Sequence, residues 1–350
     1  MQVHTCILLL ALATSVIAQP LNSTANLTKR SGSTIQPVLG GINFPDPSII
    51  RVSQNLFYAF STNTRVNGIP VNIPMAHSTD FENWTYNGVQ DALPHLPAWV
   101  STTNPGVWAP DVVQLSSGEF VMYFTASYAA QPNLHCLGVA TSSSVSGPYK
   151  PISDQPWICP TSQGGAIDPA GYVARDGTRW VVYKIDGNAI GHGGNCNNGI
   201  APISSTPIML QQVSPNDGWT RIGEPVELIT NSPLDGPVTE APSLSQMPDG
   251  TFVLFFSSNC YNGPLYDVSY ATARDIRGPY TKYGPLFVTG TNGLSAPGGL
   301  DIAVNGNHAA FHANWGAGRA MFTAIISGAG NEWNAYVPMN GGAQGGKESM

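Results

Sequence analysis

One short pattern recurs along the chain and limits its fold more than any other feature: an acid, often beside proline, opens an apolar strand, and a second apolar strand returns after a turn. The first copy is Pro45-Asp46-Pro47-Ser48-Ile49-Ile50, followed by Leu56-Phe57-Tyr58-Ala59-Phe60. Ala109-Pro110-Asp111-Val112-Val113 with Phe120 to Phe124 is the second, and Ile167-Asp168-Pro169 with Trp180 to Tyr183 is the third. Thr239-Glu240-Ala241-Pro242 with Phe252 to Phe256 is the fourth, and a weaker fifth runs from Leu300-Asp301-Ile302 to Phe311-His312. Successive acids lie 65, 57, 72 and 61 residues apart, room for a four-stranded blade with generous loops. Outer segments repeat too: Val139-Ala140-Thr141 leads to Gly147-Pro148-Tyr149, and Tyr270-Ala271-Thr272 leads to Gly278-Pro279-Tyr280. Each small sheet has apolar faces that only a neighbour can cover. The pattern therefore predicts an all-β, single-domain, five-bladed β-propeller over residues 36–337. A β-sandwich with fortuitous resemblances is the alternative. The 38 scattered glycines and 29 prolines fit many tight turns.

The ends read differently. An apolar run from Ile7 to Ala18 is too short to span a bilayer and ends in small residues, as a secretory signal peptide (1–18) does. Residues 19–35, with Lys29-Arg30 as a processing site, read as a propeptide or disordered segment, and 338–350 as a loose glycine-rich tail. Sequons at Asn22, Asn26 and Asn83 suit a secreted, extracellular glycoprotein. Four cysteines remain beyond Cys6: Cys136, Cys159, Cys196 and Cys260. They allow two disulfides in three connectivities, and their order favours Cys136 with Cys159. No Cys-x-x-Cys spacing points to zinc. With 10% charged residues and a net charge of −7, the chain is no nucleic-acid binder, and a neutral partner fits better.

In a radial array, acids that start the innermost strands converge on one axis. Crowded carboxylates raise one another's pKa, which structure alone has little use for and glycoside hydrolysis needs. Inverting hydrolysis takes a carboxylate base that activates water and a protonated acid that feeds the leaving oxygen, about 6.5–9.5 Å apart. Glu240 has the longest reach among the five acids and is the expected proton donor.

The motifs Pro45-Asp46-Pro47, Ile167-Asp168-Pro169, Glu240-Ala241-Pro242 and Trp108-Ala109-Pro110-Asp111, in this order and placement, make the chain from about Gly41 to Trp333 resemble glycoside hydrolase family 43. That five-bladed group contains β-xylosidases, α-L-arabinofuranosidases and endo-arabinanases. The resemblance implies that Asp46 is the base, Asp168 the residue that tunes the acid, and Glu240 the acid. It implies an oligo- or polysaccharide substrate, no cofactor, no membrane and a monomer. Trp108, Asp111 and Arg319 are expected at the substrate, Trp108 by stacking on sugar or filling a gap between blades, and Arg319 by donating to hydroxyls. Asp111 and Asp301 also read as strand-start residues that bond backbone N–H groups. Phe311-His312-Ala313 with Arg319 resembles the family's late His and Arg. The sequence departs from the family at Ala296-Pro297-Gly298-Gly299, where Gly299 replaces a histidine near the centre that often meets an axial ion, so no metal ligand is expected there.

Other functions fit less well. Sucrose- and fructan-cleaving propellers carry Asn-Asp-Pro, Arg-Asp-Pro and Glu-Cys, where this chain has Pro45, Ile167 and Ala241 at the diagnostic positions. A Trp-Asp repeat scaffold lacks its dipeptide, Gly341 to Lys347 lacks the Ser or Thr of a phosphate loop, and Gly293 to Pro297 breaks the nucleophile-elbow pattern. A non-catalytic carbohydrate-binding propeller would share the fold but has no need of all three acids. Gly191-His192-Gly193-Gly194 reads as a loop beside the mouth of the site.

Overall fold

The computed structural model describes residues 35–304, 306–330 and 332–337. The expected signal peptide, Cys6, the sequons at Asn22 and Asn26, Lys29-Arg30, all but the last residue of the 19–35 segment and the 338–350 tail lie outside the described residues. Ile35, the last residue of that segment, is buried against the final two blades. Asn83 of the third sequon is exposed.

Five antiparallel sheets of four strands follow one another along the chain. Blade I takes Ser48–Ser53, Leu56–Phe60, Met75–Ser78 and Trp84–Tyr86, with a small ribbon of Thr64–Val66 and Ile69–Val71 above it. Blade II takes Trp108–Gln114, Phe120–Tyr128, Gln131–Ser142 and Lys150–Pro151. Blade III takes Ala166–Val173, Arg179–Ile185, Ile208–Val213 and Arg221–Ile229. Blade IV takes Thr239–Gln246, Phe252–Ser258, Val268–Ala273 and Thr281–Phe287. Blade V takes Gly298–Ile302, His308–Trp315, Gly318–Ala329 and Glu332–Tyr336. Each first strand packs against the first strands on both sides, and those of blades V and I meet, so the series closes into a ring. Only short 3-10 turns interrupt the strands among the described residues.

The apolar runs explain the closure. Alternate residues of a strand face opposite ways, so a run with apolar residues at every position feeds two junctions. Phe57 and Ala59 join the core between blades V and I, while Phe60, with Tyr58 beside it, faces blade II. Val253 and Phe255 face blade V, and Leu254 and Phe256 face blade III. Val113, Val121 and Tyr123 meet Val181 and Val213 between blades II and III. The residues leading into blade I run beside blade V, with Val38 and Phe44 N–H groups donating to the Met321 and Arg319 carbonyls at 3.0 and 2.8 Å. Both disulfides form, Cys136–Cys159 as the sequence order favours and Cys196–Cys260 between loops of blades III and IV. The two outer repeats occupy third strands, and Gly147–Pro148 and Gly278–Pro279 are both cis.

One register expectation needs correcting. The five acids are not equivalent positions. In blades II to V the pairing of first and second strands slips at Trp108/Asp111, Ile167/Ala170, Glu240/Ser243 and Gly298/Asp301. Within each slip, and at the matching place in blade I, one residue has positive φ: Asp46, Ala109, Asp168, Ala241 and Gly299, between 36° and 58°. Asp46 and Asp168 occupy this bulge, Glu240 stands one residue before it, and Asp111 and Asp301 stand two residues after it. The next residue is Pro47, Pro110, Pro169 or Pro242 in four blades, which suits a place where no ladder N–H is required.

A bulge frees a backbone N–H from its own ladder, and a buried N–H needs a partner. The preceding blade supplies it. Asp46 N–H donates to His312 Nδ1 at 3.0 Å, Ala109 N–H to Thr62 Oγ1 at 3.0 Å, Asp168 N–H to Thr125 Oγ1 at 3.1 Å and Gly299 N–H to Ser257 Oγ at 2.9 Å. Three residues further on, a second ring of bonds runs from Ile49 N–H to Asp301 Oδ2, Gly171 N–H to Asp111 Oδ2 and Ile302 N–H to Ser243 Oγ. Ser243 is buried and also donates to Asp301 Oδ1 at 2.6 Å. Ser243→Ala removes the buried hydroxyl that accepts from Ile302 N–H and donates to Asp301, and is expected to lower stability by about 1–3 kcal/mol. Urea unfolding should show a lower midpoint at unchanged slope, and an unchanged midpoint would mean that this latch contributes nothing.

Candidate active site

All five acids of the repeat line one cavity of about 350 Å³ at the axis, on the side where the inner strands begin. The size suits a small-molecule or sugar site. Asp46 comes from blade I, Asp168 from blade III and Glu240 from blade IV, so residues far apart in sequence face one hollow.

Asp46 is clamped. Arg319 Nη1 donates to Oδ1 at 2.7 Å, Nη2 approaches Oδ2 at 3.4 Å, and Thr62 Oγ1 donates to Oδ2 at 2.6 Å. Burial pushes the Asp46 carboxyl up, but Arg319 and the Thr62 hydroxyl outweigh it and hold it below the ordinary carboxylate value. Burial and the Arg319 charge lower the pKa of His312 to about 3, so the ring is neutral at ordinary pH. Its Nδ1 accepts the Asp46 N–H, which makes the 3.4 Å approach of Nδ1 to Asp46 Oδ1 no ion pair. Arg319 and Thr62 therefore do the holding.

The opposite wall carries a pair. Glu240 Oε2 accepts from Lys184 Nζ at 3.1 Å, and Glu240 Oε1 accepts from the Tyr266 hydroxyl at 2.9 Å. Lys184 is fully buried and also meets Asp186 at 3.1 Å. Burial would lower the pKa of its amine, but Asp186, Glu240 and Asp168 raise it, so it stays charged. Asp168 accepts Ala241 N–H at 2.9 Å. Burial, with Glu240 and then Asp46 adding repulsion, raises its carboxyl to about 8 against the pull of Lys184. Asp168 therefore keeps its proton at neutral pH, next to a Glu240 that Lys184 and the Tyr266 hydroxyl both face.

The remaining expected residues divide. Arg319 and Trp108 line the cavity, and Trp108 stacks on His135 with ring centroids 3.8 Å apart. Asp111 lines it too but is 5% exposed and bonded to Gly171 N–H at 2.6 Å, in the latch role that Asp301 also fills. The 191–194 loop sits at the rim, where its neighbours Asn188 and Cys196 line the cavity. Lys184, Tyr266, Thr62 and Tyr261 were not singled out from the sequence. A lysine inside Trp180-Val181-Val182-Tyr183-Lys184-Ile185, a strand otherwise apolar after Arg179, was the one available signal.

The Gly298-Gly299 departure has a steric reason. A Cβ at Gly298 would lie 2.0 Å from the Tyr266 ring, and one at Gly299 2.8 Å from the His312 ring. These rings fill the place that a histidine side chain at 299 would need. A histidine side chain at 299 therefore has no room, and His312 Nε2 is buried without a hydrogen-bond partner.

The raised Asp168 carboxyl has a consequence for stability. A folded pKa above the unfolded one stabilises fully below the unfolded value, and that stability is lost as pH climbs through the folded value. The parent should therefore lose stability relative to Asp168→Asn as pH rises from about 4 to about 8. Melting temperatures of the two proteins across that range test this, and a constant difference would refute it.

The chain is similar to known proteins in sequence and in fold. The glycosyl hydrolases family 43 profile matches residues 35–319. An extracellular endo-alpha-(1->5)-L-arabinanase of Thermotoga petrophila is 30% identical over 176 residues, 42% of this chain and 35% of that protein. Xylosidase/arabinosidase 43B of Humicola insolens is 25% identical over 260 residues, 72% of this chain and 42% of that protein. The chain spans between 34% and 42% of the length of the curated relatives it matches. Among solved structures, a thermostable family-43 glycoside hydrolase superposes with a TM-score of 0.71 at 21% identity, covering 88% of this chain and 97% of that one. An endo-arabinase from Bacteroides thetaiotaomicron gives 0.64 at 19% identity, covering 86% and 100%. The profile match over most of the chain, on a five-bladed ring with its acids at the axis, makes this protein a member of glycosyl hydrolase family 43.

Proposed function

We propose that this chain is a secreted, inverting glycoside hydrolase that cleaves a pentose-containing plant polysaccharide: arabinan, arabinoxylan or xylo-oligosaccharide. One observation carries the reading. A single cavity holds Asp46, a carboxylate kept ionised by an arginine, and, from other blades, Glu240 with Asp168, whose carboxyl is raised to about 8. Two acids whose surroundings push their protonation apart are what an acid–base pair requires.

In this reading Asp46 draws a proton from a water lying between it and the sugar, and the water attacks the anomeric carbon. Arg319 and Thr62 fix the carboxylate so that its lone pairs point where the water sits. Glu240 gives its proton to the leaving oxygen. Lys184 and the Tyr266 hydroxyl then stabilise the carboxylate that results. Asp168 stays protonated through burial and the Glu240 and Asp46 charges, and its bond to Ala241 N–H ties it to the residue next to Glu240. Trp108 offers a flat apolar surface to the substrate.

The sources of support for substrate and location differ. Relatives named as arabinanases and as xylosidase/arabinosidase point to pentose polymers. The apolar N-terminal run, taken as a signal peptide, and two disulfides favour export, with residues 36–337 acting as a monomeric catalytic domain.

Incubation with linear arabinan, arabinoxylan and aryl pentosides, followed by NMR of the first-formed anomer, tests the reading. An α-linked substrate should release the β-anomer, and a β-linked one the α-anomer. Glu240→Gln should lower kcat on unactivated glycosides by about 10²–10⁴-fold while the protein stays folded. Parent-level turnover by that variant would remove Glu240 from the acid's role. If the parent released nothing from any of these substrates, the carbohydrate-binding alternative would gain.

A further inference from the structure

The cavity has a rim residue that the reaction as described does not use. Tyr261 lines the cavity and is 46% exposed, high for an aromatic side chain. It follows Cys260, whose disulfide to Cys196 ties the blade IV loop to the blade III loop. Cys196 and Asn188 of the blade III loop line the cavity as well. The Arg319 guanidinium lies over the Tyr261 ring, 5.2 Å from its centroid, and the same guanidinium bonds Asp46 at 2.7 Å. Three blades therefore meet at this ring: disulfide from III, tyrosine from IV and arginine from V.

We propose that Tyr261 is a sugar-contacting specificity residue at the rim, stacking on a pentose unit next to the one held at the carboxylates and fixed in place by the Cys196–Cys260 disulfide. This rests on the glycosidase reading above and adds the part of the site that sorts oligomers from single sugars.

The argument is one of surface chemistry. Sugars present apolar C–H faces that pack on aromatic rings, and a ring already held in place loses little freedom on binding. A cation over one face of the ring fixes its tilt, since the guanidinium is attracted to the ring's negative face. Arg319 is in turn pinned by Asp46, so Tyr261 cannot shift without disturbing that contact. A disulfide one residue away shortens the path by which the loop could swing out. Arg319, with its guanidinium divided between Asp46 and Tyr261, couples the neighbouring subsite to the base.

Binding separates this proposal from the reaction. In a Glu240→Gln background, six-unit linear arabino-oligosaccharide and xylo-oligosaccharide are titrated by calorimetry. Tyr261→Ala should weaken the better of the two ligands by about tenfold, while Tyr261→Phe stays within about twofold of that background. The Cys196→Ser/Cys260→Ser double variant should weaken binding in the same direction, and adding Tyr261→Ala to it should cost less than it costs alone. Equal affinity of Tyr261→Ala and its background, loss by Tyr261→Phe equal to that of Tyr261→Ala, or no binding of either oligosaccharide would overturn the proposal. Full additivity with the cysteine pair would overturn the disulfide's part. Aryl pentoside hydrolysis by the otherwise unaltered chain reports separately on the carboxylates: oligosaccharide binding that depends on Tyr261, without any hydrolysis, would sink the enzyme reading and leave the rim residue standing.

Discussion

A backbone N–H that its own blade cannot satisfy governs the centre of this molecule. The slip in the first strands of blades II to V, and the matching place just ahead of the first strand of blade I, turns one residue to positive φ and removes it from the ladder. Such a conformation costs about 1–3 kcal/mol for a residue other than glycine, and it persists only where the surroundings fix it. Four of the five positions are Asp or Ala, so the ring maintains them against that cost. What fixes them is a side chain of the preceding blade, at a position that also recurs. Thr62, Thr125, Lys184, Ser257 and His312 occupy equivalent places on or just after the second strands, and all are buried. Four of them accept the neighbour's freed N–H.

The fifth cannot. An ammonium group has donors and no acceptor, so Lys184 leaves the Ala241 N–H without the partner found at the other junctions. Asp168, at the bulge of blade III itself, takes that N–H at 2.9 Å instead. Lys184 turns to Glu240 and Asp186. One exception to a five-fold rule thus brings a lysine, an aspartate and a glutamate together on one wall. The junction between blades V and I departs in a second way. There the acceptor is an imidazole, and Arg319 of the adjoining strand fastens the Asp46 carboxylate. The symmetric scaffold holds the backbone, and the asymmetric residues at the same positions supply the chemistry.

Blade number, ring closure and the meeting of distant acids were legible because apolar runs must be covered on both faces, and only a neighbouring blade can do so. The exact register was not. Aligning the acids made Asp111 and Asp301 look equivalent to Asp46 and Asp168, although they stand two residues beyond the bulge. The prolines marked the register better, because Pro47, Pro110, Pro169 and Pro242 occupy one place where no N–H is needed. Lys184, Tyr266 and Tyr261 escaped notice for a different reason. Their roles arise from contacts between blades, which a single strand's pattern does not carry. Gly298 and Gly299 registered only as a departure from a familiar motif, since the rings of Tyr266 and His312 that exclude a Cβ there come from residues 32 and 13 positions away.

Charge accounts for the proton at the site. Asp46 and Arg319 neutralise each other, and Lys184 offsets one carboxylate among Asp168, Glu240 and Asp186. With all three ionised, that wall would carry two uncompensated negative charges in a buried setting. Retaining one proton halves the excess, and Asp168, raised by desolvation and by the Glu240 and Asp46 charges, is where retention costs least. Asp168 has a single N–H donor, whereas Glu240 accepts from both an ammonium and a phenol. The retained proton therefore lies on Asp168, which is bonded to the residue next to Glu240. Replacing Lys184 by a hydroxyl residue would restore the regular latch and remove the one positive charge that Glu240 and Asp186 share. On the proposed reading of Glu240 as the acid, the more regular propeller would be the poorer catalyst.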